Sequence, residues 1–465
     1  SEMCIRDRLI IHNARIAGTN PKGPAPVIEK GYVAVEGDTI VKVGEDAAPA
    51  ELLATPGATV VDATGRLLMP GVIDTHVHFR DPGLTHKGDM ATESAAAVAG
   101  GVTSFLDMPN TKPLTVTVKA WEEKMARAAE VSTANYGFFI GATDSNLDSE
   151  LLRADYTRVA GVKLFLGSST GGMLVEGGDM IRRIMSEVPA IIAVHAEDEA
   201  TIRRNREALV ARYGEELPID CHPVIRDHDA CMEATSRAVA LARETGARLH
   251  VCHLSTSDEL RLFSAGPVEN KRITAETCPQ YLIFSDEQYQ MLGSRIKCNP
   301  AIKRPTDRDD LRFALSHDVI DTIATDHAPH ILAEKQGTAL TAASGMPSVQ
   351  WALPVMMQTV AEGWFSLPTI VLKMCTAPAL LYGIEGRGAL VEGYKADMVL
   401  FDTDAEPWRI TDEACIGRAG WTPYAGLEIN GRVDATWVNG RMVYSGGVVH
   451  PAPSAAQPLR FAPRS

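Results

Sequence analysis

LLMPGVIDTHVHFRDPG, Leu67 to Gly83, is the stretch whose reading decides the fold. Its apolar first half, Leu67 to Ile73, has the composition of a strand buried on both faces, as in a parallel sheet. Residues two apart on a strand point to one side, so His76 and His78 aim at a common point. Two imidazoles converging at a strand end suit a metal ion, with two hydrogen-bonded core histidines as the plain alternative. Seven more apolar runs follow: Thr103–Pro109, Tyr136–Ala142, Gly161–Leu166, Ala190–Ala196, Arg248–Leu254, Arg272–Cys278 and Asp321–His327. Between them lie helix-period stretches such as Thr115–Val131 and Asp229–Thr245. Alternating strand and helix implies parallel pairing. Eight such units make an α/β fold, a closed TIM-type (β/α)8 barrel with its chemistry at the C-terminal strand ends.

Outward from the barrel the pattern shortens. Residues 1–8 (SEMCIRDR) fit no strand or helix and are read as an appendage outside the fold. From Leu9 to Arg66 come short alternating segments, Leu9–Ile16, Gly31–Val35 and Thr39–Val43, which predict a small antiparallel sheet. Short strands return after Ile384 at Ala396–Phe401, Asp434–Val438 and Arg441–Val443. The last two flank Asn439-Gly440, a strong two-residue hairpin signal. Residues 9–66 and 385–465 are expected to join in one composite β-sandwich domain beside a catalytic barrel at 67–384.

With 45% hydrophobic residues in 465, the chain can bury a large core. Its 45 Lys+Arg against 59 Asp+Glu give a net charge of −14, which argues against nucleic acid or anionic membrane as partners. Positive charge for an anionic ligand must then be supplied locally. The eight cysteines are scattered, with no Cys-x-x-Cys pair, as expected of free thiols in a reducing, cytoplasmic setting. No apolar run approaches the ~20 residues of a spanning helix.

The ends of the expected strands carry a short set of polar residues. His76 and His78 end the first, Asn110 the second, His195 the fifth, His253 the sixth and Asp326 the eighth, while Lys163 sits in the fourth. Any one could be a core residue. Four imidazoles and a carboxylate at one end of a barrel suit zinc or a similar divalent ion. Five ligands exceed one tetrahedral site with an open position and suit two ions sharing a bridge. Lys163, in Gly161-Val-Lys-Leu-Phe-Leu-Gly167, can supply that bridge: a buried neutral amine combines with carbon dioxide, and the carbamate offers an oxygen to each ion. An ion pair with Asp or Glu is the alternative.

DTHVHFRDPG, DMPNTKP (Asp107–Pro113), GVKLFLGSSTG, VHAED, HLST, ETCP, IKCNPAIK (Ile296–Lys303), ATDHAPH (Ala324–His330) and GYKADMVLFD together resemble the dihydroorotase family of the amidohydrolase superfamily. The resemblance covers nearly everything after Arg8. It implies a barrel with a β-sandwich and a binuclear centre, often zinc. His76, His78 and Asp326 would hold the more buried ion, His195 and His253 the second, and carbamylated Lys163 would bridge both. Arg80, Asn110 and His330 match positions at the substrate carboxylate, and Asn299, Ser344 and Gly345 match the ring pocket. Asp326 would be the catalytic general acid and base for reversible hydrolysis of dihydroorotate to N-carbamoyl-L-aspartate, in pyrimidine biosynthesis. A homo-oligomer, dimer or tetramer, is expected.

Gln280 departs from the pattern: dihydroorotases often have His after ETCP, hydantoinases Gln. The rival readings are a hydantoinase, dihydropyrimidinase or allantoinase, and a non-catalytic homologue that has become an assembly subunit. The second should have lost ligands, and all six are present. Arg80 discriminates against the first, because a guanidinium beside the metals suits a carboxylate-bearing small molecule. By two-residue alternation it should share the side of His76 and His78; its plain alternative is pairing with Asp81. Gly167 to Gly172 lacks the P-loop lysine and its spacing. Ser168, Ser169, Thr170, Gly171 and Gly172 are read instead as a lid.

Overall fold

The run from Leu67 divides at Gly71. A computed structural model of the chain, describing residues 7–167 and 173–463, shows Leu67–Pro70 paired antiparallel with Met398–Asp402 in the sheet domain. Val72–Val77 pairs parallel with Val102–Asp107 as the first barrel strand. Only glycine fits the crossing, since a Cβ on Gly71 would fall 1.9 Å from Thr103 Oγ1. The single strand expected over Leu67–Phe79 is therefore two strands in two domains, and the barrel begins at Val72.

The other seven runs each contain a barrel strand: Val102–Asp107, Asn135–Phe138 continued by Ile140–Gly141, Val162–Leu166, Ile192–Ala196, Leu249–Val251, Ile273–Thr277 and Thr322–Ile323. All pair parallel. The third strand breaks at Phe139; its first half bonds to the second strand and its second half to the fourth. The ring closes where Val77 meets His327 and the His78 N–H donates to the His327 carbonyl at 2.7 Å. The protein is thus a (β/α)8 barrel joined to a β-sheet domain. Helix limits follow capping chemistry: Thr117 accepts from the Ala120 N–H to start Val118–Val131, and His228–Thr245 runs from an Asp227 cap to left-handed Gly246.

The sheet domain holds nine strands and is mixed rather than antiparallel. Arg8–Ile16 pairs antiparallel with Ile28–Glu36 but parallel with Thr59–Asp62, because the turn of helix at Ala50–Leu53 returns the chain to its starting edge. Asn439 and Gly440 both have positive φ, 50° and 81°, and turn Arg432–Val438 into Arg441–Ser445 as expected. The C-terminal segment does not lie wholly in this sheet. Trp421 and Tyr424 are buried against the barrel, where Tyr424 stacks on Phe284, and Leu459 and Phe461 pack with Ile73, Leu106 and Phe139. Burying these large apolar side chains against the barrel is itself stabilising.

Candidate metal and substrate site

His76, His78, Arg80, Asn110, Lys163, His195, His253, Asn299, Asp326, His330, Ser344 and Gly345 all line one cavity of about 370 Å³ at the C-terminal ends of the strands. The lid residues Ser168 to Gly172 lie outside the described ones.

Three of the four imidazoles are oriented by an oxygen on the far nitrogen, and the fourth, His253, has none on its Nδ1 among the described residues. His76 Nδ1 lies 2.8 Å from Glu276 Oε1, His78 Nδ1 2.8 Å from Asn110 Oδ1, and His195 Nε2 2.9 Å from Glu197 Oε1. With those nitrogens donating, the opposite nitrogens carry lone pairs. His76 Nε2 and His78 Nε2 converge on Asp326 Oδ1 at 3.1 and 3.0 Å, and His195 Nδ1 faces His253 Nε2 at 3.0 Å. His253, whose Nδ1 has no partner among the described residues, can donate from Nε2 to His195 Nδ1. The His76 and His78 lone pairs aimed at the Asp326 carboxylate, in contrast, repel it unless a cation lies between them. A proton is one such cation. Burial works against charge on His76, but the Asp326 and Glu276 carboxylates overcome it and hold its pKa well above the ordinary value. The same pairing, against burial, holds the Asp326 carboxyl well below its ordinary range. Burial keeps His78 low, at about 4, and also lowers His195 and His253. A divalent ion in place of the His76 proton would find His76, His78 and the ionised Asp326 carboxylate as a converging donor set, so these residues fit a metal of the kind the sequence implies.

Lys163 is 1% exposed, and among the described residues it forms no ion pair with a carboxylate. Its Nζ donates to Cys252 Sγ at 3.3 Å, in the barrel floor below the histidines. The alternative of an Asp or Glu partner is therefore not what the fold builds.

Arg80 reaches the cavity by a different route from the one alternation predicts. The strand ends at Val77, and Arg80 is left-handed, with φ 65°. His253 and Asp326 are also left-handed, with φ 38° and 50°. Each such residue costs on the order of 1–2 kcal/mol, and three at one site show that side-chain direction has overridden backbone preference. Arg80 does not pair with Asp81, which lies 3.4 Å from Arg127 instead. Arg80 is 8% exposed and donates from Nε to the Pro329 carbonyl at 3.1 Å. Its terminal nitrogen lies 3.2 Å from His330 Nε2. However, Lys87 donates to His330 Nδ1 at 3.0 Å, so the ring proton sits on Nε2 and goes to the Ser344 carbonyl at 2.9 Å. The Arg80 terminal nitrogen meets no lone pair there. Burial lowers this guanidinium's pKa to about 10, with Asp326 opposing the shift, so it stays charged. Asn299 Oδ1, also buried in this wall, finds no partner among the described residues.

Sequence reasoning missed Glu276, Glu197 and Lys87. The two glutamates stand in ETCP and VHAED, and Glu197 follows His195 by two, the spacing that shares a face. Lys87 carried no signal, since it enters the cavity by a loop. Gln280 is buried outside the cavity, its amide 3.4 Å from the Thr325 carbonyl.

Comparison with known proteins agrees with this geometry. The Amidohydrolase family pattern matches residues 67–443. A dihydroorotase from Pelobacter propionicus is 33% identical over 401 residues, covering 84% of this chain and 91% of that relative. An allantoinase from Streptomyces avermitilis is 32% identical over 444 residues, covering 94% and 96%. Among solved structures, the L-hydantoinase (dihydropyrimidinase) of Arthrobacter aurescens superposes with a TM-score of 0.88 at 26% identity, covering 98% of this chain and 100% of that one. On the barrel, the histidine–aspartate cluster at its mouth and these likenesses, the chain belongs to the Amidohydrolase family.

Proposed function

We propose that this amidohydrolase is a dihydroorotase, interconverting dihydroorotate and N-carbamoyl-L-aspartate in pyrimidine biosynthesis. One observation carries the reading: Arg80 is a buried, charged guanidinium with no carboxylate partner among the described residues, on the wall of the cavity that holds the metal-ligand cluster. A substrate carboxylate completes it.

His76, His78 and Asp326 would hold one divalent ion, and His195 and His253 a second. Lys163, carbamylated, would bridge them, with zinc best suited to this set. Bound there, the pair supplies Lewis acidity that acidifies a water and polarises the ring amide carbonyl. Asp326 would take the proton from the attacking water. It returns that proton to the ring nitrogen as the C–N bond breaks, giving a carboxylate and a ureido group. In the cyclising direction the same proton travels back. The Thr325 N–H and hydroxyl bond to Asp74 at 3.1 and 2.6 Å, which fixes the segment carrying Asp326 against the first strand. Arg80 grips the ring carboxylate and so sets which amide faces the metals.

A hydantoin- or allantoin-opening activity is the second reading, supported by the allantoinase likeness and by Gln280. Turnover of dihydroorotate, hydantoin, allantoin and dihydrouracil on one metal-analysed preparation separates the two. Preference for dihydroorotate with two ions per chain is expected, and preference for any uncharged ring sinks the assignment.

A further inference from the structure

Lys335, which the reading above does not use, closes the short turn Leu332–Lys335 and is 1% exposed. Among the described residues it forms no ion pair. Its Nζ donates to the carbonyls of Lys297, Ala343 and Gly345 at 3.0, 2.6 and 2.8 Å. An ammonium has three N–H donors, and here each is spent on a backbone carbonyl. All three carbonyls belong to the ring-pocket wall. Ala343 and Gly345 line the cavity, and Lys297 stands two residues before Asn299. The Lys297 carbonyl also accepts the Gly345 N–H at 2.9 Å, and the Ser344 carbonyl between the clamped residues holds His330. The turn has no slack on its other side, because a Cβ on Gly345 would fall 2.7 Å from the Ala328 carbonyl. A buried, unpaired ammonium is costly, and a Met or Leu would fill the same space without that cost. Burial lowers its pKa to about 7. Losing the third proton would leave two donors for three carbonyls.

We propose that Lys335 is a positioning residue: its ammonium clamps the Ala343–Gly345 turn to the Lys297–Asn299 segment and so sets the width of the ring pocket. The proposal rests on the cyclic-amide reading only in that this pocket is where the ring binds. It is independent of which ring that is.

The test compares Lys335→Met and Lys335→Ala with the parent as full-length, metal-loaded chains, on whichever cyclic amide the parent turns over fastest. Metal content should match the parent. KM should rise by about tenfold or more and kcat should fall less, because a misplaced wall weakens ring binding before it disturbs the metals. Where the parent turns over dihydroorotate, orotate, a planar ring with the same carboxylate, should raise the melting temperature of the parent more than that of either variant. Ethylammonium should lower the KM of Lys335→Ala, where the side-chain space is open, but not of Lys335→Met, where it is filled. A KM within about twofold of the parent in metal-loaded Lys335→Met overturns the proposal, since filling the space then suffices. If Lys335→Met does not fold, the ethylammonium response of Lys335→Ala decides: saturable recovery of KM supports the clamp, and a folded variant that does not respond refutes it. Failure of both to fold, with or without the amine, also refutes it, because the lysine is then a folding determinant. A parent that ignores dihydroorotate but opens another ring sinks the substrate assignment and leaves this test standing.

Discussion

Arg80 and Lys163 are both buried without a carboxylate ion-pair partner among the described residues, and the proposed function gives each a different task. Arg80 is proposed to grip the substrate carboxylate. A charge-assisted grip of this kind contributes on the order of 1.5–3 kcal/mol, or roughly one to two powers of ten in kcat/KM. Arg80→Ala should lose that much on dihydroorotate while retaining its metals, and should discriminate less against dihydrouracil. Arg80→Lys should recover only part, since an ammonium lacks the planar fork. Retention of activity on dihydroorotate within about threefold would make Arg80 structural. Lys163 is proposed to combine with carbon dioxide, which turns its amine into the bridging carbamate. Lys163→Ala should bind less metal and lose roughly a hundredfold or more of its turnover, with short carboxylic acids restoring a fraction as substitute bridges. Full metal content in Lys163→Ala would exclude the bridging role.

Among elements, the join between barrel and sheet domain carries a buried polar network within its apolar seam. Asn135, on the third barrel strand, donates to Ser104 Oγ at 3.2 Å and Asp397 Oδ2 at 3.1 Å. Its carbonyl accepts from Asn439 Nδ2 at 2.8 Å and from the Gln457 N–H at 2.9 Å. Arg387 completes the network through Asp397, Asn439 and Gln457. Four segments far apart in sequence are tied by one buried amide. Asn135→Ala leaves two buried partners unsatisfied at about 1–3 kcal/mol each, so its melting temperature should fall by several degrees. The site lies at the opposite strand ends. Turnover at 25 °C should therefore stay near the parent's, and a parallel loss of metal would show that the join supports the site after all.

For the whole molecule, acid stability offers a readout independent of the metals. Among the described residues, no helix is long and apolar enough to cross a membrane, and seven cysteines are free. His222 is buried, with its Nε2 donating to the Cys298 carbonyl at 2.8 Å. Burial, with the Arg226 charge beside it, lowers its pKa to about 3. Between that value and the unfolded ~6.5, the unfolded chain binds a proton that the folded chain refuses, so stability falls as pH drops through this window. His222→Gln keeps a donor for the carbonyl and removes the titration. Over pH 6.5 to 5 it should lose roughly 2 kcal/mol less than the parent. Equal acid slopes for the two proteins would place the sensitivity elsewhere.

The sequence alone determined the barrel, the order of its strands and the polar residues that meet at their ends. Strand–helix alternation is a local pattern, and a side chain at the end of a parallel strand has one place to go. Only the tertiary structure decided that Leu67–Phe79 is split between two domains, because the split depends on Gly71 meeting Thr103 from another strand. It also decided that Trp421 leaves the sheet domain to cover the barrel and hold the His330 carbonyl at 2.7 Å. Arg80 was assigned to the cavity by the wrong geometry: alternation fails once the strand has ended, and the left-handed turn that aims the guanidinium is imposed by the His327–His330 segment packed against it. Glu276, Lys87 and Lys335 act through partners that lie 200, 243 and 38 residues away in the chain, and no spacing in a sequence records such pairings.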